Sequence, residues 1–126
     1  MDLYREDMID HYQNPRNYGE IVDADAIIEL ENSSCGDKIK LFVKLKGNKV
    51  DEISFIGEGC AVAIASASKL TEYAKGKELS HIQQLTTDDL LEIIKVELTI
   101  SRIKCANLSL ETLKKSINSV DRKTKI

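Results

Sequence analysis

Two periodicities in succession constrain this chain most. Ile39, Leu41, Val43 and Leu45 alternate with Lys40, Phe42, Lys44 and Lys46. A repeat of two gives a strand with one apolar face. Lys46-Gly47-Asn48-Lys49 supplies turn residues, and Val50–Ile56 continues the pattern with Ile53 and Phe55 on one face. After Gly57-Glu58-Gly59 the period becomes helical: Cys60–Lys75 is rich in Ala and Ser, and Gly76 is placed to stop it. A short apolar run, Ala26–Glu31, precedes both strands. The short connections favour an antiparallel meander over parallel βαβ units. Strands followed by helices predict an α+β fold, with helices on one face of a small antiparallel sheet.

The flanking segments fit this frame. Residues 1–12 read as a helix, with Met1, Tyr4, Met8, Ile9 and Tyr12 at helical spacing. Asn14-Pro15 ends it, because the residue before proline is pushed out of the α region. Residues 13–25 read as irregular. Leu79–Leu85 predicts a short helix capped by Ser80, and Thr86 or Thr87 caps another that runs to about Val96. Leu98–Lys104 is ambiguous, Ala106–Val120 reads as helix, and 121–126 as a frayed tail.

A chain of 126 residues suits a single domain over 1–126. Eighteen basic against 21 acidic residues give a net charge of −3, which argues against general nucleic-acid binding. Aromatics are 5% and Trp is absent, so stacking platforms for bases are not expected either. No apolar run approaches the length of a transmembrane helix. The charged start, MDLYREDMID, lacks the apolar stretch of a signal peptide, so a cytoplasmic location and no membrane partner are expected.

Three cysteines, Cys35, Cys60 and Cys105, are a poor disulfide framework in such a chain. Each falls at a junction. Cys35 lies in the turn Asn32-Ser33-Ser34-Cys35-Gly36-Asp37, and Cys60 opens a helix, where free amides and the helix dipole favour a thiolate. Cys105 comes just before the last helix or at its start, where the same effect is expected. Their spacing is too long for a zinc knuckle, so convergence needs the tertiary fold. Asp37, two residues past Cys35, completes a Cys3Asp set suited to zinc or to iron with sulfide. Alone it would read as a turn-forming Asp. His11, at a helix end that favours a cation, reads as a cap, and His81 as solvent-facing. Lys40, Lys44, Lys46 and Lys49 read as a solvated strand face.

These residues carry a resemblance. Asp10-His11-Tyr12-Gln13-Asn14-Pro15-Arg16-Asn17, Asn32–Asp37, Gly57–Ser68 and Arg102–Ser109 resemble motifs of the IscU/SufU/NifU-N family of iron–sulfur cluster assembly proteins. The resemblance implies an α+β, SufE/NifU-like sandwich of a three-stranded antiparallel sheet with about five helices. It also implies metal ligation by Cys35, Asp37, Cys60 and Cys105. IscU-type chains carry His before the third cysteine. Here Lys104 stands there, and with Arg102 it is similar to the SufU type, which binds zinc and accepts sulfur from a cysteine desulfurase. The SufU insertion between the second and third cysteines is missing. Glu97-Leu98-Thr99-Ile100-Ser101 stands where the IscU type has its LPPVK chaperone-binding motif.

The resemblance thus implies a sulfur acceptor and scaffold with zinc or iron as cofactor. Its partners would be a cysteine desulfurase and downstream apo iron–sulfur proteins. Cys35 is the expected acceptor and Cys105 the alternative, with Arg102 and Lys104 as electrostatic support. A scaffold holding a transient [2Fe–2S] cluster on the same residues is the second reading, and a structural zinc interaction domain the third.

Overall fold

The computed structural model describes residues 3–33 and 35–124. Its elements are α1 (Leu3–Gln13), β1 (Ala26–Asn32), β2 (Asp37–Lys46), β3 (Lys49–Glu58), α2 (Ala61–Ala74), α3 (Leu79–Gln83), α4 (Thr87–Ile94) and α5 (Ile100–Thr124). The strands form one antiparallel sheet in the order β1-β2-β3. Asn32 pairs with Asp37 at the β1–β2 turn and Lys46 with Lys49 at the β2–β3 turn, so each connection is short. The meander and the α+β class follow the sequence pattern.

One sheet face carries Ile39, Leu41, Val43, Ile53 and Phe55, all buried. They join Leu70 of α2, Leu90 and Ile94 of α4, and Leu113 and Ile117 of α5 in one apolar cluster. Burying each such side chain contributes about 1.5–3 kcal/mol, so this face anchors the sandwich. Phe42 departs from the alternation. It lies in register with the polar side of β2 yet is buried, with the Lys40 ammonium 5.6 Å from its ring centroid. The irregular segment after α1 also adds a rung to β3. Asn17 and Gly19 exchange backbone hydrogen bonds with Phe55, both at 2.9 Å.

Helix ends show where local signals decide and where they do not. Of the two caps the sequence offers for α4, Thr86 is the one used, and it forms a reciprocal box with Asp89. Ser80 does not cap α3. The residue before that helix is Glu78, held by a bridge to Lys49 while Leu79 N–H donates to Asn48 O, so the edge of β3 sets where α3 begins. The last helix starts at Ile100, not Ala106, and its bounds are Ile100–Thr124. Residues 125 and 126, and residues 1 and 2 of the first predicted helix, lie outside the described residues. No described helix is long and apolar enough to cross a membrane.

Candidate metal centre

The site forms where the β1–β2 turn, the entry to α2 and the early part of α5 meet. Asn32 O accepts hydrogen bonds from Cys35 N–H (3.1 Å) and Gly36 N–H (2.8 Å). Gly36 takes φ +73°, a conformation that costs other residues more. This turn leaves Cys35 exposed and returns the chain into β2 with Asp37 fully buried.

Asp37 is the hub. Its Oδ1 accepts the backbone N–H of Cys60 at 2.8 Å, and its Oδ2 lies 3.8 Å from Cys60 Sγ. Cys60 is the N-cap of α2 and uses no side-chain cap, so the Asp37 carboxylate serves the helix start from another element. The carboxylate reaches this position because Gly59 has no side chain. A Cβ there would come 2.8 Å from Asp37 Cα, and Gly59 itself takes φ +140°.

Cys105 completes the group from α5. Its Sγ lies 3.6 Å from Cys35 Sγ and 3.7 Å from Ser101 O. The side-chain ligand atoms of Cys35, Asp37 and Cys105 lie within 4.8 Å of one another, whereas Cys60 falls outside that group and approaches it at Asp37, with its Sγ 3.8 Å from Oδ2. All three cysteines are in the reduced, thiol state. Because α5 begins at Ile100, Cys105 sits in the second turn of the helix, not at its start, and is 1% exposed. The thiolate-favouring effect expected for Cys105 is therefore reversed. Burial first, then hydrogen bonding with Asp37, Cys35 and Cys60, pushes this thiol up to about 12.

The donor set fits a tetrahedral ion. Bonds of ~2.3 Å to sulfur keep two sulfurs of such an ion about 3.8 Å apart, close to the 3.6 Å seen between Cys35 and Cys105. Three thiols and one carboxylate suit zinc or iron better than the hard cations, which prefer all-oxygen sites.

The remaining predicted residues divide. Arg102 and Lys104 are exposed, and among the described residues neither forms an ion pair. Lys104 lines a cleft of about 370 Å³ beside the site with Glu31, Asn32, Ser33, Asn107 and Glu111. His11 lies in the last turn of α1, yet its ring turns inward instead of capping. It is 4% exposed, with Nδ1 2.7 Å from Ser68 Oγ, and Nε2 faces Asp7 and Glu72. His81 is exposed and meets the Tyr73 hydroxyl at 2.6 Å. Gly59 is the site residue that the sequence reading gave no role. Its signal was its place between an acidic residue and a cysteine in a Gly-rich turn.

Fold and site together define a small α+β domain that presents a Cys/Asp ligand cluster at one end of its sheet. The chain belongs to the NifU-like N-terminal domain family, which matches residues 3–126. It is 38% identical over 121 residues to the iron-sulfur cluster assembly scaffold protein IscU 1 of Archaeoglobus fulgidus, covering 96% of this chain and 78% of that protein. It is 36% identical over 132 residues to the zinc-dependent sulfurtransferase SufU of Bacillus subtilis, covering 91% and 89%. A crystal structure of a nitrogen-fixing NifU-like protein from Brucella abortus (N-terminal) superposes with a TM-score of 0.80 at 15% identity, covering 95% of each chain. That last likeness concerns the fold alone.

Proposed function

We propose that this chain accepts sulfur from a cysteine desulfurase and passes it into iron–sulfur cluster assembly. Cys35, Asp37, Cys60 and Cys105 would hold zinc or iron. The observation that carries this reading is the 3.6 Å approach of two unlinked thiols beside a buried carboxylate. The relatives named as a cluster scaffold and as a zinc-dependent sulfurtransferase support it. The family match over 3–126 supports treating the chain as one such domain.

A bound ion would keep the thiols deprotonated at neutral pH and shielded from oxidation. Cys35 is the proposed acceptor because it is the exposed thiol, and buried Cys105 is the alternative. The Cys35 thiolate attacks the outer sulfur of the desulfurase persulfide. The donor S–S bond breaks, the donor leaves as a thiolate, and a new S–S bond forms on Cys35, with no net oxidation. Arg102 and Lys104, exposed on α5 around Cys105, are proposed to favour the approach of anionic sulfur and of an acidic partner surface. A cytoplasmic location belongs to this reading, since thiols this close stay reduced in a reducing compartment.

The second reading, a scaffold for a transient [2Fe–2S] cluster delivered to apo iron–sulfur proteins, uses the same ligands and is supported by the scaffold relative. Metal analysis of the purified protein, with anaerobic reconstitution by iron, sulfide and desulfurase, separates the two. Sulfur acceptance predicts about one zinc per chain, lost in Asp37→Ala, and faster desulfurase turnover. A stable visible chromophore after reconstitution favours the scaffold. A chain that unfolds on chelation and leaves the desulfurase unaffected is a structural zinc module and contradicts both.

A further inference from the structure

The three-stranded sheet has two outer edges, one on β1 and one on β3. Backbone bridges from Tyr18 to Phe55 and from Glu78 to Lys49 close the other side of the sheet, on β3. Among the described residues no backbone bridge closes the outer edge of β1, although α5 packs against this strand. An unpaired strand edge is a template for one more strand.

The sheet's own charges say what that strand carries. Glu31 stands opposite Lys38, which stands opposite Glu58. The Lys38 ammonium lies 3.9 Å from the Glu31 carboxylate and 4.0 Å from that of Glu58. In the next row Glu29 faces Lys40, and in the row after that exposed Ile27 faces buried Phe42. Continued past β1, the alternation calls for a basic residue beside Glu31, another beside Glu29 and an apolar one beside Ile27. A second copy of this chain brings the wrong partner, because antiparallel self-pairing about Glu29 sets acid against acid.

The edge also leads to the chemistry. β1 runs through Asn32 and Ser33 to the Cys35 turn, and the cleft lined by Glu31, Ser33, Lys104 and Glu111 opens at that end.

We infer that the edge of β1 receives an extended segment of a partner protein, basic at two alternate positions and apolar at the next. It pairs antiparallel as a fourth strand, and its N-terminal end reaches the cleft beside Cys35. The proposed function supplies only the partner's role, as a protein that exchanges sulfur or cluster at Cys35.

The test uses the full chain, ¹⁵N-labelled, and a blocked peptide Thr-Lys-Thr-Lys-Thr-Val-Thr. Saturable amide shifts and slowed hydrogen exchange are expected at residues 27–31. Replacing both Lys by Glu is expected to weaken binding about tenfold, and Glu29→Lys with Glu31→Lys to reverse that preference. N-methylation of alternate peptide nitrogens, which removes strand pairing but keeps the charges, is expected to abolish binding. No saturable response at 27–31, or equal binding by the N-methylated peptide, overturns the inference. No desulfurase is present, so this result and the sulfur-acceptance result stand or fall separately.

Discussion

Asp37 Oδ1 accepts the backbone N–H of Cys60 across 2.8 Å, joining the start of β2 to the start of α2. One carboxylate therefore does two jobs: one oxygen satisfies a helix N-terminus and the other faces the thiols. The two jobs separate by substitution. Asp37→Ala is expected to lower metal-free stability by about 1–2 kcal/mol, since a buried donor is left unpaired. Asp37→Asn keeps an acceptor oxygen and is expected to lose less. Both are expected to weaken zinc binding at least about tenfold, read by chelator competition. Urea unfolding of the metal-free forms checks the first part.

Gly59 is expected to be intolerant of any side chain. A Cβ there would meet Asp37 Cα at 2.8 Å, and its φ of +140° strains other residues. Gly59→Ala should cost about 1–3 kcal/mol and impair zinc binding without touching a ligand. Wild-type zinc affinity in this variant would show that Asp37 need not be where it is for binding.

Acid should loosen the docking of α1. Burial, and after it the Arg16 charge, holds the His11 imidazole below its ordinary value of 6.5, against the pull of Asp7 and Glu72. A base with a lowered folded pKa makes the unfolded chain take up the proton first. Its stability is complete above about pH 6.5 and is lost as pH falls through the folded His11 value. Asp7 and Asp10 are held below 3.8, by Lys69 and Arg16 respectively, so they act at more acidic pH. His11→Gln should flatten the stability profile between about pH 7.5 and about pH 5, measured by urea unfolding.

Ser66 offers a stabilising change. Its hydroxyl is buried in α2 and has no hydrogen-bond partner among the described residues. Ser66→Ala removes an unsatisfied polar group at little cost in volume. It should raise stability by about 1 kcal/mol, seen as a higher urea midpoint with unchanged slope.

The sheet was legible in the sequence because Ile39, Leu41 and Val43 alternate cleanly and Gly47-Asn48 turns the hairpin. Phe42 was not legible as buried. It is 2% exposed with the Lys40 ammonium over its ring, an arrangement that the alternation of its own strand does not signal. The start of α5 was missed because Leu98–Lys104 mixes apolar and polar residues without a recognisable cap. That misplacement by about a turn and a half turned Cys105 from a helix-start thiol into a buried one. The four candidate ligands of the proposed site were legible in the sequence, yet what holds Asp37 was not. Gly59 acts by lacking a side chain, and His11 meets Ser68 across 57 positions of sequence, beyond any local pattern.

The most direct measurement is mass-spectrometric mapping of persulfide after the zinc-loaded protein is incubated with a cysteine desulfurase and cysteine. The predicted result is one added sulfur on Cys35 in the wild-type chain, and its loss with the loss of desulfurase stimulation in Cys35→Ser. Sulfur acceptance by Cys35→Ser at the wild-type rate, or no persulfide on any of the three cysteines, would contradict the account.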